Sequence, residues 1–345
     1  MKSMRHTILS FLGASAVATS LTVAASAKDV TLRMHQFLSE QANVPAHILK
    51  KWAADVEEAS GGSIKVEMYS SMALGGTPPE LYDQAVDGVA DVIWTLLGYT
   101  PGRFSEAEVF ELPFMMTDTS ATSKAFWQYA QKHLIDDEMS DTHVLGLWVH
   151  GPGIIHSKSA IRTIDDLKGL KLRAPTRTTS LLLANLGAEP IGMPVPAVPE
   201  SLSKGVIEAT VIPWEVTGAL KVSELVSNHT EFPGASLYTA TMALVMNKDR
   251  YESLTEEQQA AIDSVSGLEF SGFAGATMQA YDAPSRQIAV DLGNNIIALS
   301  EQEIEAWKTA TAQTQELWAE EMNAAGYDGV ALIEDARALI DANSQ

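Results

Sequence analysis

A two-lobed α/β architecture is what the sequence predicts, on three observations. Short apolar strands alternate with helical stretches along most of the chain; the length left after an N-terminal export segment exceeds what one core accommodates; and there is no cysteine to staple smaller units. The stretch 30–37 alternates as a strand, 46–59 sets Ile48, Leu49, Trp52 and Val56 at helical spacing before Ser60-Gly61-Gly62, and 64–69 alternates again. Such a β-α-β opening implies parallel strands joined by right-handed crossovers. A helix over 78–87, a buried strand over 90–97, a helix over 119–133 and a strand over 144–150 continue the pattern. A second cycle opens at Thr163, which can cap a short helix. It runs through a strand over 170–173, a helix over 179–186, Glu189-Pro190-Ile191, a helix around 201–204 and a strand over 209–212. A long strand over 239–247 leads to a capping box at Thr255 and Gln258, and the rest to 340 reads as mostly helical, broken near Pro284, Ala298 and Gly326. No low-complexity tether separates the halves, so strands are expected to join the lobes. Ligands of open α/β sheets sit beyond the carboxyl ends of the strands, which in a two-lobed protein means the cleft.

The N-terminus predicts the compartment. Lys2 and Arg5 precede an apolar stretch over 8–23 that ends in Ala25-Ser26-Ala27, the pattern of a signal peptide over 1–27. Ser10, Ser15, Thr19, Ser20 and Thr22 dilute it below a membrane-spanning run, so an exported periplasmic protein without direct membrane insertion is expected. With 44 acids against 23 lysines and arginines the formal charge is −21, which argues against nucleic acid and anionic lipid as partners. A small anion would need a local arginine site set against this field.

Catalytic motifs are missing. The sequence has no HExxH, GxSxG, P-loop or GxGxxG pattern, and none of the eight histidines pair at i, i+4, so neither a metal nor a cofactor is expected. His150 and His156 flank a turn and are expected to bond locally there. Arg173 and Arg177 stand out, because an apolar strand ends in Arg173 and Pro175 forces a turn before the next helix. A guanidinium at that strand end can grip a carboxylate through two parallel charge-assisted hydrogen bonds. A structural ion pair with one of the many acids fits the spacing equally well.

Five stretches in register carry a resemblance. They are Leu74-Gly75-Gly76; Val109-Phe110-Glu111-Leu112-Pro113-Phe114; Asp166-Leu167-Lys168-Gly169-Leu170-Lys171-Leu172-Arg173-Ala174-Pro175; Leu202-Ser203-Lys204-Gly205-Val206-Ile207-Glu208; and Met246-Asn247-Lys248. With them the chain resembles the periplasmic solute receptors of TRAP transporters, the C4-dicarboxylate-binding (DctP) family, over nearly its whole exported length. The resemblance implies a two-lobed periplasmic-binding-protein-like fold with a long helix spanning both lobes. It implies a small organic acid gripped by Arg173, delivery to TRAP membrane subunits, a monomer, and no enzymatic activity. The expected division is a first lobe of 28–150 with about 236–282, and 151–235 with about 283–345 as the second lobe and the spanning and C-terminal helices. Arg177 becomes a candidate for a second ligand charge.

The chain departs from the family pattern at Gly153, where a further arginine is common, and at Ile212-Pro213-Trp214-Glu215, where many members carry an amide. Both departures speak against a sugar acid. Trp94, Tyr99, Trp148 and Trp214 lie at or just beyond predicted strand ends, and the expectation is a monocarboxylate with an apolar or aromatic body, such as a benzoate or a mandelate-like acid. Each aromatic, Trp148 above all, can instead be ordinary core. The candidate ligand-binding set is Arg173, Arg177, Trp94, Trp214, Glu215, His35, Tyr99, His150 and Gly153, Glu215 suiting a hydroxyl or an amine. The alternatives are a receptor for an aliphatic, hydroxy or keto acid, a receptor of an ATP-driven importer, or a periplasmic enzyme using His150 or His156 with Glu215 as acid and base.

Overall fold

The computed structural model describes residues 29–344, so the signal peptide expected over 1–27 lies outside the described residues. In chain order the strands are β1 (Val30–His35), β2 (Ile64–Tyr69), β3 (Val92–Leu96), β4 (Thr142–Val149), β5 (Ile154–Ser157), β6 (Lys171–Ala174), β7 (Glu189–Gly192), β8 (Ala209–Ile212), β9 (Asn228–Glu231), β10 (Thr241–Asn247) and β11 (Asn295–Ala298). They form a five-stranded sheet in the order β2-β1-β3-β10-β4 and a six-stranded sheet in the order β11-β9-β5-β8-β6-β7. Each sheet is the centre of one lobe.

In the first sheet β1 runs parallel to β2, from Val30 opposite Ile64 to His35 opposite Tyr69, and parallel to β3. The parallel pairing expected of the β-α-β opening is present here, but the sheet is mixed rather than wholly parallel. Strand β10 returns from the second lobe and inserts antiparallel between β3 and β4. All seven of its residues are buried, as an almost continuous apolar run covered on both faces requires. The second sheet is mixed too, with β5 antiparallel to both β8 and β9.

Two backbone segments cross between the sheets at one place, β4 to β5 through 150–153 and β9 to β10 through 232–240. A third connection is helical: Leu268–Ala280 packs on the helix Thr119–His133 and on β4, and Asp282–Asp291 packs on Trp214–Leu220 in the second lobe. The helix Glu301–Ala325 joins the lobes again. It starts at a capping box between Ser300 and Glu303 and stops at Gly326, whose φ of +98° suits a residue without a Cβ. Near its start Trp307 packs edge-on against Phe232 at 5.1 Å, and farther along Gln315 donates to the Pro113 carbonyl at 3.0 Å and Trp318 to Glu108 at 3.1 Å. Among the described residues, no helix is long and apolar enough to cross a membrane.

Candidate functional site

A small cavity opens where the two sheets face each other. Phe37, Trp94, Tyr99 and Met242 line it from the first lobe, Arg173, Ile212 and Glu215 from the second, and His150, Tyr238 and Met278 from the connections.

Arg173 is placed by β6, whose backbone is paired with β7 and β8, so that Arg173 lies opposite Ile191 and Thr210. Beyond it the chain turns at Pro175, and Thr176 caps the next helix by accepting from the Thr179 amide at 3.2 Å. The side chain is 1% exposed. Its Nε donates to the Met193 carbonyl at 2.9 Å and Nη1 to the Val211 carbonyl at 3.1 Å, and the guanidinium also bonds the Tyr99 hydroxyl, which leaves part of its five N–H groups for a ligand. Among the described residues, no carboxylate lies within ion-pair distance of it, whereas Arg33, Arg103, Arg177, Arg250 and Arg286 each have an acid. A buried cation without a counter-ion costs several kcal/mol. Here the unmet positive charge faces the cavity.

Three polar side chains surround the guanidinium. The Tyr99 hydroxyl accepts from the Val195 amide across the cleft at 2.9 Å and keeps its own proton to donate; burial raises its pKa, and the neighbouring Arg173 charge works the other way. Tyr238 donates to the same Val211 carbonyl as Arg173, at 2.9 Å. His150 bonds the Gly151 carbonyl through Nδ1 at 2.6 Å, which assigns the proton to that nitrogen and leaves Nε2 an acceptor. Burial pushes this imidazole down to about 4, the charge of Arg173 adding to the effect, so it is neutral at neutral pH.

The flat wall is aromatic. Phe37 stacks on Trp94 with centroids 4.4 Å apart and planes at 19°, and Tyr99 meets Phe37 edge-on at 5.7 Å. Behind Trp94 lies Trp148, parallel at 6.5 Å and outside the cavity, bonded through Nε1 to Met278 Sδ. Glu215 supplies a second polar point at the start of the helix Trp214–Leu220. Its Oε2 accepts from Asn43 Nδ2 across the cleft at 3.3 Å, and its backbone amide donates to Asp282 at 2.9 Å. Burial, reinforced by the Asp282 charge, pushes the Glu215 carboxyl up to about 8.

Of the sequence candidates, the structure brings Arg173, Trp94, Tyr99, His150 and Glu215 to one cavity. It does not bring Arg177, Trp214, His35 or Gly153 there. Arg177 is clasped by Glu108 and Glu321, the first a buried carboxylate of the Val109-Phe110-Glu111 region and the second on the long helix. Trp214 points away and donates to Glu231 at 2.9 Å. His35 bonds Gln84 at 2.6 Å and accepts from the Leu74 amide at 3.2 Å, fixing the Leu74-Gly75-Gly76 turn. At Gly153 any Cβ would strike the Tyr238 ring, so the aromatic occupies the space a longer side chain would need. His156 is not in a turn but in β5, bonded to His229 at 2.7 Å and to the Ile212 carbonyl at 3.2 Å.

The sequence reading missed Phe37, Tyr238, Met242 and Met278 in the wall. Phe37 lies two residues past the end of β1, a position just beyond a strand like that of Tyr99 after β3, and that signal was available. Tyr238 precedes β10 and Met278 lies within a helix, and neither position announces a cavity.

The family model for bacterial extracellular solute-binding protein, family 7 (DctP), matches residues 36–323. Among solved structures, a TRAP solute-binding protein from Rhodoferax ferrireducens in complex with copurified benzoate is 49% identical, with a TM-score of 0.90 over 91% of this chain and 98% of the other. A marine metagenome TRAP solute-binding protein specific for aromatic acid ligands, in complex with 3-hydroxybenzoate, is 41% identical with a TM-score of 0.90 over 92% and 100%. The C4-dicarboxylate-binding periplasmic protein DctP of Rhodobacter capsulatus is 24% identical over 93% of this chain and 96% of its own.

Proposed function

We propose that this chain, which belongs to bacterial extracellular solute-binding protein family 7 (DctP), closes its two lobes around a small aromatic monocarboxylate and delivers it to TRAP membrane subunits. The observation that carries the reading is Arg173, a buried guanidinium with two carbonyl partners and no acid, facing a cavity walled by Phe37 and Trp94. An organic carboxylate supplies the missing negative charge, and the stacked rings receive an aromatic body. That two relatives carry benzoate and 3-hydroxybenzoate supports the same class. A single cationic pole favours one carboxylate over two, since Arg177 is already committed to Glu108 and Glu321.

The protein is a receptor and catalyses no reaction. His156 faces His229 rather than the cavity, and burial holds the His150 imidazole down at about 4, below the range of a base working at neutral pH, which supports the receptor reading. Residues 1–27 serve as the signal peptide and the mature form works in the periplasm, as the other members of the family do. In this reading the lobes comprise 28–150 with about 236–282, and 151–235 with about 283–345, the latter stretch including the spanning and C-terminal helices, of which Gly329–Asn343 packs back on Thr119–His133 of the first lobe. A thermal-shift panel of aromatic and aliphatic acids tests the reading, because a ligand that binds only the folded form raises Tm. Stabilisation by benzoate-type acids is expected. Stabilisation by aliphatic dicarboxylates alone would overturn it.

A further inference from the structure

We infer that Glu215, steadied by Asn43, is a second pole of the ligand site that takes a hydrogen-bond-donating ring substituent, so that the preferred ligand is a hydroxy-substituted aromatic acid. The inference rests on the aromatic-carboxylate reading and deepens it.

The two poles are separate. Arg173 is carried by β6 and bonded to the Met193 and Val211 carbonyls, whereas Glu215 is carried by the first turn of the helix Trp214–Leu220 and bonded to Asn43. Glu215 is 6% exposed and lines the cavity, with one side-chain bond, the long contact to Asn43. Between the poles the wall is apolar, formed by Phe37, Trp94, Met242 and Met278. A carboxyl in such a place leaves an acceptor oxygen with no protein donor, and a plain benzoate would leave it unmet. A ring hydroxyl would meet it.

Asn43 supplies an independent sign. Its Oδ1 is buried without any hydrogen-bond partner, while Nδ2 makes the contact to Glu215. Turning the amide over places Oδ1 toward Glu215, where a protonated carboxyl can donate to it. That arrangement pairs the oxygen with the Glu215 proton, passes the unpartnered position to Nδ2, and leaves the other oxygen of Glu215 as an acceptor for the ligand. The raised pKa of Glu215 agrees with the protonated form, and a neutral carboxyl does not repel an anionic ligand. A site built to bond a hydroxyl discriminates strongly against the analogue that lacks it, because its own buried polar group is then left unpaired.

The test is calorimetry of the mature protein with benzoate, 3-hydroxybenzoate and 4-hydroxybenzoate. At least one hydroxy acid should bind about tenfold or more tightly than benzoate, the scale of one buried hydrogen bond. Glu215→Leu should erase that preference, bringing the ratio of hydroxy acid to benzoate affinity to about one, and Glu215→Gln, which keeps an acceptor oxygen, should retain it. Asn43→Ala should reduce the ratio of hydroxy acid to benzoate affinity, a ratio that simple loss of stability would not move. If the wild type binds benzoate and both hydroxy acids alike, or if Glu215→Leu keeps the preference, this inference falls and the aromatic reading stands. If benzoate and the hydroxy acids all fail to bind, the aromatic reading falls and takes the inference with it.

Discussion

Arg173 Nη1 and the Tyr238 hydroxyl converge on one acceptor, the Val211 carbonyl, at 3.1 and 2.9 Å. Val211 belongs to β8 in the second lobe, while Tyr238 lies on the segment returning to the first, so one carbonyl aims the guanidinium and ties the crossing strand to it. Neither bond supplies a counter-charge, and Arg173 lines the cavity with its positive charge unpaired by any acid of the described residues.

Removing the guanidinium should therefore separate affinity from stability. Arg173→Met is expected to cost about 2–5 kcal/mol of affinity for an aromatic acid, as truncation of one partner of a buried charged pair does. The ligand-free Tm should stay level or rise, because an uncompensated buried charge has gone. Calorimetry and thermal unfolding without ligand check the two halves, and an unchanged Kd would remove Arg173 from the site.

Tyr238→Phe should be mild. The Val211 carbonyl keeps Arg173 as a donor, so the loss is one neutral hydrogen bond, about 0.5–1.5 kcal/mol in affinity or stability. A loss as large as that of Arg173→Met would show that Tyr238 itself bonds the ligand.

Trp94→Ala should weaken aromatic acids more than aliphatic acids of similar size. The stacked Phe37 and Trp94 pair offers a flat face whose contribution beyond area burial is about 0.5–1.5 kcal/mol. Competition binding against cyclohexanecarboxylate measures the difference, and equal losses would place the rings in the core alone.

Arg177→Met should cost stability and spare affinity. It leaves the buried Glu108 with only the Trp318 donor, and it disconnects the helix Arg177–Asn185 from the long helix at Glu321. A lowered Tm with an unchanged Kd is expected; a weakened Kd at unchanged Tm would return Arg177 to the ligand.

Binding should weaken as pH rises through about 8. The Glu215 carboxyl is held protonated by burial up to that point, and above it a second negative charge shares the cavity with the ligand. The ligand's carboxylate is ionised throughout this range, so the sign comes from the protein. The carboxyl facing Glu215 most directly, Asp282, is itself raised to about 7 and loses its proton first. Because the folded pKa of Glu215 lies above the unfolded one, its stabilising proton is fully present below the ordinary carboxylate range and lost as pH climbs through about 8. Glu215→Gln should flatten both the affinity profile and this part of the stability profile. Parallel profiles for wild type and variant from pH 6 to 9 would contradict it.

Much of the fold was legible because its elements are locally decided. Strands β2 and β8 and the helix Thr119–His133 have the ends that alternation and helical spacing predict, and the Thr255 and Gln258 capping box closes as expected. Strands β5, β9 and β11 were not read. Each has four residues, and Asn228-His229-Thr230-Glu231 carries no apolar alternation, so only its neighbours make it a strand. The antiparallel insertion of β10 is a non-local pairing that no spacing encodes. The site divides in the same way. Arg173 could be found from strand-end logic, whereas Trp94, expected near a strand end, lies in the middle of β3; and whether an arginine meets an acid depends on the third dimension. Arg173 and Arg177, four residues apart, have opposite fates for that reason.

The helix Glu301–Ala325, roughly 37 Å long at the usual rise, is fastened beside Phe232 at one end and at Glu108 and Pro113 toward the other. A stiff rod fixed at both extremities resists sliding and stretching, so the jaws can swing but not shear. Release of cargo then becomes a mechanical event: whatever rotates one jaw must undo the Tyr99 to Val195 and Asn43 to Glu215 stitches together, while the rod preserves the alignment for the next capture.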